Sequence, residues 1–255
     1  MAIDPTELAA LVPMELAALV VAAFAGSVIF GITGFGAALI TVPFATHFVP
    51  LPFALALYVL MDLANACRIG FENSKHAVKS EWTRMIPTIL VGNVVGLTLL
   101  VNLPRGAATF ALGVFVFAFA IYSLTRHPDA QRVLPSGWGY AAGMTGGITS
   151  TLFGAGGPAY AMYLSQRDLS KEQYRATLGL ATLTSISIRT VAFFAMGYLL
   201  DLKVWTYAAF VVPAGLAGIW AAGHLFRRIS RETLMRVVAR MLLASGASLI
   251  VRALA

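Results

Sequence analysis

The chain has 255 residues, of which 59% are hydrophobic and only 11% charged, whereas a soluble globular domain carries about a quarter charged residues. With a mean hydropathy of +0.81, nearly every stretch of about 20 residues is apolar enough to span a bilayer, which excludes a separate soluble domain. The net charge of +7 does not mark a nucleic-acid partner, because the basic residues stand in short loops and at helix ends, as the positive-inside bias places them, and not in one interleaved patch.

The N-terminal stretch 1–15 carries Asp4, Glu7 and Glu15 with no Lys or Arg, so it lacks the basic region of a cleaved signal and is expected to remain as the lead-in to the first membrane segment. The first apolar run, 13–33, ends at Gly34-Phe35-Gly36, and a shorter run over 37–49 follows. Pro50 and Pro52 punctuate a turn. The next helix is predicted over 53–71 and contains the single cysteine, Cys67, which rules out an internal disulfide framework. A polar loop occupies 72–81. Two further spans are expected over 82–101, with Trp82 as an interfacial anchor, and over 106–124. The segment 126–137, with Pro128 and Pro135, reads as a linker.

The second half repeats this order: a run over 138–152, the break Gly154-Ala155-Gly156-Gly157-Pro158, a short run over 159–164, a charged loop at 167–172, and helices over 174–199, 204–226 and 233–254. Landmarks correspond between halves, Gly36 with Gly154, Arg68 with Arg189, Trp82 with Trp205 and Gly92 with Gly215, and their separations drift slowly as small insertions would make them. The expected organisation is a first membrane repeat over 1–125, a linker over 126–137 and a second repeat over 138–255.

Charge placement sets the topology. If each broken run counts as one full span, the basic loops around Lys75/Lys79/Arg84 and Arg126/Arg132 fall opposite those around Arg167/Lys171/Arg175 and Arg227/Arg228/Arg231, against the positive-inside rule. If each broken run returns to the side it started from, all four loops share one side. The predicted fold is therefore an all-α polytopic membrane protein of two inverted repeats. Each repeat has a glycine-broken first helix, re-entrant or as two short spans, plus three full transmembrane helices. The alternative is an ordinary parallel duplication of eight spans.

Glycines inside apolar runs let the backbone open, and opened backbone survives in a membrane only where protein buries it or it lines a polar cavity. Two such breaks at matching places point to a transporter's binding site. Each break opens a short helix whose N-terminal N–H groups favour an anion, and Thr33, Thr149, Ser150 and Thr151 add hydroxyls beside them. A blander role for the same glycines is close helix packing. A polar stripe of Tyr58, Asp62, Asn65, Arg68 and Glu72 shares one helix face, as do Arg175, Thr182, Ser185 and Arg189. Ionisable groups inside a membrane are expensive and mark function. Arg189 stands about 20 Å along its helix from Arg175 and is too deep to reach a loop, whereas Arg68 is near enough to its helix end to snorkel.

The candidate substrate-binding set is Thr33, Gly34, Phe35, Gly36, Asn65, Arg68, Thr149, Ser150, Thr151, Gly154, Gly156, Gly157, Ser185 and Arg189, with Asp62 as the candidate coupling residue, either neutralising Arg68 or carrying a proton. His47 and His76 stand near loops. No HExxH, GxSxG, Walker or Rossmann pattern occurs, so no catalytic residue, metal ligand or cofactor is expected.

Gly31-Ile32-Thr33-Gly34-Phe35-Gly36 with Pro43, its partner Phe153-Gly154-Ala155-Gly156-Gly157-Pro158, and Tyr174-Arg175-Ala176-Thr177 resemble the TauE/SafE sulfite exporter family over nearly the whole chain. The resemblance implies a multi-pass carrier of the bacterial inner membrane for small sulfur oxyanions or organosulfonates such as sulfite or sulfoacetate, working as an exporter. The first break lacks the third glycine that many relatives carry after the position of Gly36. On this reading the partners are a small anion and the lipid bilayer, with the basic loops cytoplasmic and both termini periplasmic. The different-class alternatives are a non-transporting membrane scaffold or assembly factor, whose glycines serve packing alone, and a carrier for another small anion.

Overall fold

The computed structural model describes residues 5–72, 74–125, 133–225 and 231–254, and every regular element among them is helical. The elements are α1 (Pro5–Thr33), α2 (Ala37–Ala45), α3 (Leu51–Glu72), a short 3-10 turn (Ser74–His76), α4 (Lys79–Asn102), α5 (Arg105–Thr125), α6 (Trp138–Phe153), α7 (Gly157–Leu164), α8 (Lys171–Ala195), α9 (Leu202–Leu225) and α10 (Arg231–Leu254). Six of them hold stretches long and apolar enough to cross a membrane: α1, α3, α4, α5, α8 and α9. In α10 the apolar stretch among the described residues is the shorter Leu242–Leu254. The linker residues 126–132 and the basic run 226–230 lie outside the described residues.

The distribution of side chains is that of a protein whose solvent is lipid. Val21, Leu90, Val91, Val94, Val114, Val191 and Phe210 are exposed on the outer faces of long helices, whereas Ser27, Asp62, Asn65, Asn93, Ser150, Ser185 and Arg189 are buried. Outside water, a polar group must find its partners inside the bundle.

Contacts between the two halves are exchanged. α1 packs along α9 and α6 along α4, α5 pairs with α10, and α3 sits against α8 and α9 while α8 sits against α3 and α4. The residues that meet give the relative directions. Met85 faces Gly143, and Ile89 faces Gly147 further along both helices, so α4 and α6 run the same way. Phe24 and Ser27 face Gly218, and Gly31 faces Ala222, so α1 and α9 also run together. Asp62 meets Arg189 while Gly70 meets Gly179, so α3 and α8 run oppositely. Gly113 meets Ile250 while Phe117 meets Gly246, and α5 and α10 are likewise opposed.

Glycine makes the tightest of these crossings possible. A Cβ on Gly147 would stand 2.5 Å from the Ile89 carbonyl oxygen and 2.9 Å from the Asn93 nitrogen, the close backbone approach that small residues permit in membranes.

One local expectation is corrected. The helix predicted over 174–199 stops at Ala195, because Gly197 adopts a left-handed φ of 82° just beyond it, the usual way a helix is terminated. Trp82, half-buried in the first turn of α4, donates its indole N–H to Thr184 Oγ1 of α8 at 3.0 Å. Gly147→Ala is expected to destabilise the protein by about 1–3 kcal/mol through overpacking, whereas Gly106→Ala, where a Cβ meets nothing within 4 Å, is neutral or stabilising. Thermal unfolding of the two variants in detergent checks the contrast.

Candidate functional site

Both glycine breaks fold their apolar run back on itself. A Cβ on Gly26 of α1 would press on Thr41 of α2, and Gly146 of α6 lies against the Tyr160 ring of α7, so each pair forms a helical hairpin with the glycines at its tip. At the tips Gly36 has φ 95° and Gly154 φ 74°, a region that only glycine adopts without strain. Thr33 Oγ1 closes the first turn onto the carbonyl oxygens of Ile29 and Phe35. No side chain caps the N-terminus of α2 or of α7, so first-turn N–H groups of α2 are left for a ligand, whereas in α7 the Ala159 N–H donates to the Gly156 carbonyl at 3.2 Å. Pro158 at the start of α7 contributes no N–H, so α2 offers more donors.

The tips touch each other. A Cβ on Gly157 would stand 2.5 Å from Phe35 Cβ, and one on Gly154 would stand 2.8 Å from Ala38 Cβ and 3.2 Å from Arg189 Nη1. From this meeting point the hairpins leave toward opposite ends of α4. Glu81, in its first turn, accepts from Arg167 Nη2 at 2.8 Å, from Arg84 Nη1 at 3.1 Å and from the Tyr163 hydroxyl at the exit of α7. Leu100 and Leu103, at its other end, share a surface hollow with Thr46, His47 and Arg252 at the exit of α2.

A cavity lies between the tips, walled by Phe35, Gly36, Ala37, Ala38, Gly154, Ala155, Gly156 and Gly157 and by Asp62, Ser150, Tyr160, Thr182 and Ser185. It gives water centres about 20 Å³, room for roughly one water molecule. Arg189 stands directly behind this wall. It is 1% exposed, donates from Nη2 to Asp62 Oδ2 at 2.9 Å and from Nη1 to the Ser150 carbonyl at 2.7 Å, and its Nε has no acceptor. The buried hydroxyl of Thr182 also makes no hydrogen bond, and the buried Tyr160 hydroxyl stands beside Ser185. Buried donors without acceptors are costly to leave unpaired, and here they gather beside two uncapped helix starts. The chemistry they suit is an acceptor-rich anion.

The predicted residues divide by placement. Phe35, Gly36, Asp62, Ser150, Gly154, Gly156, Gly157 and Ser185 line the cavity, with Arg189 bonded to two of them. Gly34 forms the turn beside it without lining it. The hydroxyls of Thr33, Thr149 and Thr151 are directed elsewhere: Thr149 donates to the Thr145 carbonyl and Thr151 to Asn93 Oδ1. Asn65 is buried but donates to Ser27 Oγ at 2.8 Å. Arg68 is exposed, and the carboxylate it was expected to neutralise, Asp62, belongs to Arg189. Tyr160 was missed as a site residue, since a tyrosine in a short apolar run carries no spacing signal. Asn93, which also donates to Ser185 Oγ at 3.4 Å, was missed for the same reason. Phe119 meets Phe35 edge-on at 6.5 Å and Phe115 stacks on Phe153 at 5.2 Å, so the four-residue spacing of the α5 phenylalanines secures both tips. Among the described residues no group of three or more His, Cys, Asp or Glu is placed to hold a metal ion.

A family model described as "Sulfite exporter TauE/SafE" matches residues 18–249. The chain belongs to the TauE/SafE sulfite exporter family. That membership places it among membrane transporters and not among enzymes. This TauE/SafE chain is 26% identical over 194 residues, 76% of its length and 81% of the relative's, to a Comamonas testosteroni protein named "Probable inner membrane transporter protein TsaS". It is 28% identical over 242 residues, 90% of its length and 91% of the relative's, to a Cupriavidus necator protein named "Probable sulfite/organosulfonate exporter TauE". No solved structure matches it.

The buried pair generates a prediction about stability. Asp62→Ala leaves Arg189 an uncompensated buried charge and is expected to cost about 3–5 kcal/mol. The double change Asp62→Leu with Arg189→Met removes both charges and is expected to recover most of that loss. Comparative thermal unfolding of the single and double variants reads the difference.

Proposed function

We propose that this TauE/SafE protein is an inner-membrane exporter of small sulfur-containing anions, sulfite or an organosulfonate, and that it holds the anion between the two hairpin tips. The observation that carries the reading is the pair of donors without acceptors, Thr182 Oγ1 and Arg189 Nε, with the buried Tyr160 and Ser185 hydroxyls beside them, around a cavity walled by two uncapped helix N-termini. Sulfite and sulfonates are compact and rich in acceptor oxygens, and charge-assisted hydrogen bonds from a guanidinium and from helix starts suit them. The names of the two relatives support the same substrate class.

The mechanism is alternating access in two inverted repeats, 1–125 and 138–255, joined by a linker over 126–137. Supporting it are the exchanged contacts of the halves, the opposed directions of α3 and α8 and of α5 and α10, and hairpins that leave the cavity toward opposite ends of α4. Sites in such repeats lie where the halves meet near the midplane, and one half rocks against the other. The cavity holds about one water in the present conformation, so it opens to admit an anion.

Thermal unfolding of detergent-purified protein with sulfite, sulfate, thiosulfate, sulfoacetate, taurine and carboxylate controls tests the site. A rise selective for sulfite or a sulfonate is expected, abolished in Arg189→Ala. In Tyr160→Phe the binding is expected to weaken about tenfold, for loss of one charge-assisted hydrogen bond. A profile indifferent to all of these anions overturns the reading. Sidedness has its own test: with Cys67 replaced by Ser, an impermeant maleimide applied to intact cells is expected to label Asp201→Cys but not His76→Cys.

A further inference from the structure

The cavity wall already contains an anion. Asp62 lines the space between the tips and accepts Arg189 Nη2 at 2.9 Å, so its carboxylate already partners the guanidinium whose free Nε an incoming oxyanion would meet. Asp62 and Arg189 are 3% and 1% exposed, and together they are neutral. We infer that substrate binding at this site exchanges the Asp62 carboxylate for the substrate anion on Arg189 and takes up one proton on Asp62, so that anion and proton move together. This rests on the anion site proposed above.

The argument is one of charge in a medium that does not solvate it. If an anion enters and Asp62 stays ionised, two negative charges share one guanidinium in the membrane interior, and a buried charge without a partner is resolved by neutralisation. Among the described residues, the positive side chain facing Asp62 is Arg189 on α8, the other titratable neighbours of the pair are Tyr58 on α3 and Tyr160 on α7, and α1, α2, α6 and α9 set no titratable group against Asp62. Arg68, on the same helix, is exposed. Among these residues no second cation stands by to hold a second anion, and the proton is what restores balance. In the exchange the hydrogen bond from Arg189 Nη2 to Asp62 Oδ2 breaks, Asp62 gains a proton from water, and the guanidinium donates to the anion instead. The occupied site stays neutral with a monoanion, and a sulfonate is then carried without net charge movement.

The test is a proton count on the whole protein in detergent. Methanesulfonate, isethionate, sulfoacetate and sulfite are screened by thermal shift, and the strongest binder is titrated calorimetrically in buffers of different ionisation enthalpy, with the anion's own protonation subtracted. The expected result is uptake of about one proton per anion, with Kd rising by up to about tenfold per pH unit as the pH increases. In Asp62→Asn the number of protons taken up per anion bound is expected to fall to near zero, whatever the change in affinity. Binding by the native protein with a count near zero overturns the inference and leaves the anion site standing. An undiminished count in Asp62→Asn overturns the assignment to Asp62. Absence of binding by any of the anions overturns the proposed function itself. Because Asp62→Asn is a change in the core, a second readout uses native protein in liposomes. Monoanion flux is expected to follow an imposed pH gradient and to ignore a potassium–valinomycin potential, and flux that follows the potential alone overturns the coupling.

Discussion

A guanidinium and a carboxylate bonded to each other beyond the reach of water are what the rest of this bundle accommodates. The desolvation of such a pair is not returned by its mutual attraction alone; it needs exact geometry and further hydrogen bonds. Arg189 finds them in Asp62 and in the Ser150 carbonyl, beside Gly154, which turns the chain in a left-handed conformation and whose Cβ, were there one, would press to 3.2 Å from Arg189 Nη1. The glycine break and the buried charge are thus one feature. A side chain at Gly154 would disturb both, by strain at a positive φ and by contact with Ala38 and Arg189.

Around that centre the chain separates two tasks that glycine performs for different reasons. In the crossing of α4 with α6, Gly92, Gly96, Gly143 and Gly147 remove side chains so that two backbones approach, and helix association without a hydrophobic drive depends on such packing. At Gly36 and Gly154 the requirement is conformational. The break glycines are also closely packed, a Cβ on Gly156 standing 2.5 Å from the Gly146 carbonyl oxygen and one on Gly157 2.5 Å from Phe35 Cβ, and beside them stand uncapped helix starts at a shared cavity. Phe115 and Phe119 of α5 hold Phe153 and Phe35, one from each tip, so movement of either hairpin is felt by the same helix.

At one end of α4 the two halves are tied by polar bonds as well. Glu81 gathers Arg84, Arg167 and Tyr163, and Arg167 also donates to the Leu134 carbonyl in the segment leading to α6. Close by, the Val78 nitrogen donates to Thr177 and Arg175 to the Gly31 carbonyl. At the other end Arg252 donates to the Thr46 carbonyl beside a much larger hollow. Among the described residues, one end of α4 thus carries a network of charge-assisted bonds and the other borders the larger hollow.

Composition and hydropathy alone determined that the chain is a helical membrane protein, because lipid leaves the backbone no other way to satisfy its hydrogen bonds within one segment. The glycine breaks were legible because glycine in an apolar run is locally unfavourable and must be explained, and the depth of Arg189 was legible because distance along a helix is proportional to residue number. Seven residues of the predicted set lie off the cavity wall, Thr33, Gly34, Asn65, Arg68, Thr149 and Thr151, together with Arg189, which stands behind it and bonds two of the lining residues. For the hydroxyls the reason is that threonine in a helix returns its proton to its own backbone unless a neighbour such as Asn93 accepts it. The partner of Asp62 was decided only in three dimensions. Along α3 the nearest cation is Arg68, but Arg68 turns outward and the opposed packing of α3 on α8 brings Arg189 from 127 residues away. Local spacing fixes which face a side chain shares, and only the crossing of two helices fixes what that face meets.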